Sequence, residues 1–126
     1  MTRNRKSAKA AGASFERLIA DYLMTKVDDR IDRRVKTGAK DRGDIGGLRH
    51  MGGRVVIECK NFAGRLHPAP WVREAEIERG NDDALAGLVI AKRVGTTNAG
   101  RQYVLMTVDE LIALLNGNRD HIEEDA

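Results

Sequence analysis

Glu58 and Lys60 stand two residues apart in the segment Arg54 to Lys60, where adjacent Val55, Val56 and Ile57 predict a strand covered on both faces. Side chains two apart on a strand share a face. The carboxylate and the ammonium therefore point the same way as Val56, and opposite to Ile57 and Cys59. Burying both charges is costly unless they are paired or used, although an exposed Glu-Lys pair closing a strand also fits the triplet taken alone. Asp44 changes the balance. If Leu48 to Gly53, which contains Gly52-Gly53, turns a hairpin, the segment holding Asp44 pairs with this strand and brings a second carboxylate to the end that holds Glu58. Two carboxylates with no Cys/His cluster suit Mg²⁺, with Mn²⁺ as a substitute. Lys60 supplies a positive charge for a phosphate, or helps to orient and deprotonate a water. Together these residues describe metal-assisted phosphodiester hydrolysis.

The elements that must position them follow from local pattern. Ser14 is a plausible N-cap for a helix carrying Phe15, Leu18, Ile19, Tyr22 and Leu23 as one apolar stripe, with Glu16 close in angle to Ile19 and Leu23. Arg34 to Thr37 predicts a short strand, and Gly38 to Gly47 a Gly-rich charged segment. Pro70 suits the first turn of a helix bearing Trp71, Ala75 and Glu78 and stopping near Gly80. Leu85 to Ala91 predicts a buried strand, and Arg101 to Met106 its hairpin partner. Thr107 and Glu110 form a capping box for a last helix with Leu111, Ile112, Leu114 and Leu115 on its apolar face, ended by Gly117. The expected architecture is α/β, a single domain over residues 14–117 with a central mixed β-sheet of about five strands flanked by helices, in the order αβββαββα. Residues 1–13, with Arg3, Arg5, Lys6 and Lys9, predict a flexible basic arm, and 118–126 an acidic disordered tail.

Charge follows the same division. The chain has 126 residues and a net charge of +3, but 21 basic residues face 13 acidic ones up to Val108, whereas the last 18 residues hold one basic and six acidic. A positive body suits a polyanionic partner, and a solvated surface explains the charge equally well until a site is found. The single cysteine excludes a disulfide scaffold and a multi-Cys zinc site. No run reaches the roughly 20 apolar residues of a membrane span, and no apolar segment predicts a signal peptide, so a cytoplasmic protein without membrane contact is expected. The glycines match no nucleotide-binding fingerprint.

Asp44 followed by Glu58-Cys59-Lys60 across a hairpin resembles the PD-(D/E)XK nuclease superfamily, and Glu16 on the preceding helix is similar to the additional acid of its archaeal-type Holliday junction resolvase branch. The resemblance spans residues 14 to 115. It implies a restriction-endonuclease-like fold, Asp44 and Glu58 as metal ligands with the Cys59 carbonyl, Glu16 completing the acidic site directly or through water, and Lys60 as the catalytic lysine. It further implies a homodimer cutting four-way or other branched DNA to leave a 5′-phosphate and a 3′-hydroxyl. Gly43 stands where the motif's name has proline, and Asp41 competes with Asp44 for the aspartate role. Asp44 is preferred because Ile45 continues a strand-like pattern. Arg42, Arg49 and Arg54, with Arg3, Arg5, Lys6, Lys92 and Arg93, are the expected DNA contacts. Aromatic residues make up only 4% of the chain, so recognition is expected to rest on backbone charge and junction shape. Trp71 is expected to anchor its helix. The competing readings are a RecB-like or restriction-type nuclease acting on other DNA, and a nucleic-acid-binding module with a structural acidic cluster.

Overall fold

The computed structural model describes residues 4–34 and 42–123. Its first helix, α1, spans Arg5–Lys26 and begins nine residues before the expected Ser14 cap. Asn4 is the N-cap, its side chain accepting from the Ser7 N–H at 2.8 Å. The residues read as a flexible arm are thus helical from Arg5 onward. Alanine and lysine are strong helix formers but carry no apolar stripe, so the pattern signal was silent where propensity was not. Of the expected stripe, Phe15 and Ile19 are buried, Leu18 and Leu23 are partly buried and Tyr22 is exposed, while Ala20 is buried beside Ile19.

Among the described residues, six strands follow α1: β1 Asp32–Arg33, β2 Ile45–Gly46, β3 Arg49–His50, β4 Gly53–Lys60, β5 Ala86–Ala91 and β6 Tyr103–Leu105. β1 ends just before the strand expected over Arg34 to Thr37; beyond Arg34 that expectation falls in residues 35–41, which, Asp41 included, lie outside the described residues. The sheet is mixed and open, ordered β1-β2-β4-β5-β6, with β3 pairing β4 beside β2. β2 and β3 run antiparallel to β4 and form the expected hairpin, closed at Met51-Gly52. β5 runs parallel to β4, with α2 (Pro68–Asn81) as crossover, and β6 returns antiparallel to β5.

Helices cover both faces. On one side α1 packs Phe15 and Ile19 against Ile45, Val55, Ile57, Cys59, Leu88 and Ile90. On the other, Trp71 and Ala75 of α2 meet Val89 and Ala91. Each large apolar side chain buried in this way contributes about 1.5–3 kcal/mol. Gly87 lets α2 approach β5: a Cβ there would lie 2.6 Å from the Ala75 carbonyl oxygen.

The third helix, α3 (Val108–Asn116), has Thr107 as N-cap and Gly117 as left-handed C-cap with φ 74°. Only half of the expected capping box forms. Thr107 Oγ1 accepts from the Glu110 N–H, but the Glu110 carboxylate turns inward, 2% exposed, to accept from the Gly87 N–H at 3.0 Å and from Arg119 at 2.9 and 3.1 Å. Arg119 also donates to the Leu85 carbonyl at 2.7 Å, and a short helix, α4 (Asp120–Glu123), follows. The segment expected to be a disordered tail is therefore anchored through residue 123; residues 124–126 are outside the described residues. Among the described residues, no helix is long and apolar enough to cross a membrane.

Candidate active site

The register of the hairpin sets the site. Ile45 pairs with Ile57 in an antiparallel ladder, so the next position out places Asp44 opposite Glu58. The Asp44 N–H donates to the Ile57 carbonyl at 2.8 Å, and its Oδ2 accepts from the Cys59 N–H at 2.8 Å. Asp44 thereby straddles Glu58, bonded to the residue on either side of it, and is 2% exposed. Gly43 makes this approach feasible. Its φ is +94°, and a Cβ would lie 2.8 Å from Val56 Cγ1 and 3.0 Å from the Ile57 carbonyl oxygen. Proline, locked near −65°, cannot occupy this backbone, and a glycine can.

Glu58 and Lys60 share one face of β4, as their spacing predicts, and that face meets α2. Lys60 Nζ lies 3.6 Å from Glu58 Oε1 and donates to Glu74 Oε2 at 2.7 Å. Glu78, one helical turn beyond Glu74, is 2% exposed and hydrogen-bonds with Glu58. One oxygen from each of Glu58, Glu74 and Glu78 lies within 4.8 Å of the others. Sequence reasoning missed these two acids as site residues. The available signal was Glu78 on the same stripe as Trp71 and Ala75, where a core residue belongs.

Electrostatics give the site its character. Burial, the hydrogen bond with Glu78, and the negative charges of Asp44 and Glu78 push the Glu58 carboxyl up to about 11, with Lys60 opposing. At neutral pH Glu58 keeps a proton. The Lys60 amine is raised: burial acts to lower it, but Glu74, Glu58 and Asp44 together outweigh burial. The Cys59 thiol faces α1 and is pushed upward by burial and by Asp44, Glu16 and Glu58, so it is a core residue and no nucleophile. Among the described residues, the three glutamates Glu58, Glu74 and Glu78, all oxygen donors, could hold a hard divalent cation such as Mg²⁺ or Mn²⁺.

The other expected positions divide. Glu16 accepts from Arg33 at 3.2 and 3.3 Å, and lines a cavity of about 690 Å³ with Lys9, Arg17, Asp32, Arg33 and Arg34. Its charge is felt by Cys59, from the α1 side. Arg5, Lys6, Arg42 and Arg49 are exposed, and Arg3 lies outside the described residues. Arg49 and Arg54 pair at the far end of β4, six residues or about 20 Å from Lys60, and so are not beside the acids as expected. Arg54 is bound to both the side chain and the carbonyl of Asp82. Lys92 donates to the carbonyls of Arg93 and Thr96. The Arg93 guanidinium donates to the Arg101 carbonyl at 3.1 Å and sits 4.9 Å over the Tyr103 ring, so both close the β5–β6 connection. Trp71, 7% exposed, anchors α2 as expected.

No protein-family model matches the chain, and searches of curated proteins and of solved structures returned no match.

Proposed function

We propose that this chain is a metal-dependent DNA endonuclease of the PD-(D/E)XK kind, with a restriction-endonuclease-like fold, acting on branched DNA as a Holliday junction resolvase. The observation that carries the reading is the placement of Asp44 across the hairpin from Glu58, with Lys60 on the same face and 3.6 Å from it. In this reading Asp44 and Glu58, with the Cys59 carbonyl, hold Mg²⁺, and Glu74 and Glu78 enlarge the acidic set. When bound, the cation neutralises charge on the phosphoryl oxygens and acidifies water. The Cys59 N–H fixes the Asp44 carboxylate. Glu74 holds the Lys60 ammonium where it can orient a water for in-line attack or meet a phosphoryl oxygen. The products are a 5′-phosphate and a 3′-hydroxyl. Arg5, Lys6 and Arg42 remain the proposed backbone contacts, and Glu16 a bordering acid.

A four-way junction presents two symmetric scissile strands, and one copy of the chain offers one site, so a two-fold homodimer completes the proposal. Val108, Leu111 and Leu115 of α3, exposed by 71, 44 and 71%, are its proposed contact. The test is incubation with labelled four-way junction, linear duplex and single strand, in Mg²⁺ and in EDTA. Paired symmetric nicks confined to the junction are expected. Equal cutting of linear DNA would point to a nuclease of other substrate range, and binding without metal-dependent cutting would sink the enzymatic reading.

A further inference from the structure

We propose that the loop between β4 and α2 is a base-stacking site, in which an unpaired nucleobase beside the scissile phosphate lies on the Phe62 ring. The proposal rests on the nuclease reading and narrows its substrate to DNA with an unstacked or readily opened base next to the cut.

Phe62 follows the last residue of the site by two positions, which limits its Cα to about 7 Å from that of Lys60. Its surroundings hold it in place. The Arg65 N–H donates to the Phe62 carbonyl at 3.0 Å across Ala63 and Gly64, both with positive φ, closing a tight turn. The Phe62 ring meets His67 edge-on at 5.1 Å, His67 meets Trp71 at 5.6 Å, and Trp71 is buried between α2 and the sheet. Phe62 is therefore an aromatic ring mounted on the core, yet 48% exposed. One of two phenylalanines and the only tryptophan of a chain with 4% aromatics converge here.

The chemistry around the ring selects the occupant. The Arg65 guanidinium lies 4.9 Å over the Phe62 ring, and both Arg65 and His67 are exposed. A purely apolar protein segment gains nothing from a guanidinium beside it. A nucleotide offers both complements, a π-face for the ring and a phosphate for the arginine. In paired duplex the bases are stacked on each other and out of reach, so the site adds affinity only where a base is unpaired, as at a branch point or in a single strand. Low aromatic content alone argued against stacking; concentration of the rings at the exit of β4 reverses that inference.

The experiment measures binding by fluorescence anisotropy in Ca²⁺ with Lys60→Ala as background, using a four-way junction with one unpaired nucleotide at its centre and a fully paired duplex of the same length. Phe62→Ala is expected to weaken junction binding about tenfold and leave duplex binding unchanged, whereas Phe62→Trp restores it. Urea unfolding of both variants checks that they fold. Equal loss on both DNAs, no loss on either, or a change in sedimentation without a change in DNA binding would overturn the stacking site. Metal-dependent cutting by the wild type separates the two proposals: if it cuts and Phe62→Ala cuts and binds identically, only the stacking site falls.

Discussion

Glu58→Gln is expected to make the metal-free protein more stable while abolishing cleavage, and the size of the gain is set by pH. The Glu58 carboxyl is held at about 11 against an ordinary 4.5 because it is buried, shares a hydrogen bond with Glu78 and faces Asp44. A group raised in the native state stabilises it fully below the unfolded value and loses that contribution as pH climbs through the folded one. Between those limits the native state keeps a proton that the unfolded chain releases, so stability falls with rising pH by up to about 1.4 kcal/mol per unit. Glutamine has the shape of the protonated acid and never ionises.

The stability difference between variant and wild type should therefore widen by up to about 3 kcal/mol from pH 6 to pH 8. In urea titrations with EDTA this is a relative midpoint shift of roughly 1–2 M. Mg²⁺ should restore the wild type by mass action and leave the variant unmoved. Parallel pH profiles for the two proteins would refute the protonated buried carboxyl. A variant that still cuts DNA would refute Glu58 as a ligand.

The remaining expectations test neighbouring parts. Lys60→Ala should retain junction binding and lose cutting, and Glu74→Gln, which weakens the hold on the Lys60 ammonium, should lower kcat about tenfold with little change in KM in steady-state cleavage assays. Arg119→Met leaves the Glu110 carboxylate buried beside the Gly87 N–H without its cation, and should cost about 3–5 kcal/mol by urea unfolding, more than Glu110→Gln. Gly43→Ala forces a side chain onto a φ of +94° against Val56; a loss of roughly 1–3 kcal/mol is expected, with reduced cleavage because Asp44 shifts with it.

The residues differ in how readable they were, and the reasons are physical. Strand β4 and the pairing of Asp44 with Glu58 were legible because β-branched runs and Gly-Gly turns are local signals, and side-chain alternation then fixes which residues share a face. Trp71, Ala75 and Gly117 were legible for the same reason. Glu74 and Glu78 were not, because their role depends on how α2 lies across the sheet, which the close approach at Gly87 sets and no window of sequence encodes. Glu110 looked like half of a capping box, a local motif that a long-range bond to Arg119 overrides. Arg54 looked well placed for DNA only in linear distance; a strand of eight residues carries it to the other end of the sheet.

The anchoring of Arg119 to Leu85 also fixes where negative charge sits. Leu85 lies just before β5, and Ala91 at the other end pairs with Lys60, so Arg119 and its neighbour Asp120 are held at the far end of that strand, about 20 Å from Lys60. That separation is more than two Debye lengths at physiological salt, so the Asp120 charge is nearly silent at the Lys60 end. In dilute salt the screening length grows, and the Asp120 charge adds to the negative potential around Glu58, Glu74 and Glu78. The contact between a guanidinium and one carbonyl thus bears on how strongly ionic strength changes the potential at that cluster, an influence that should fade as salt rises.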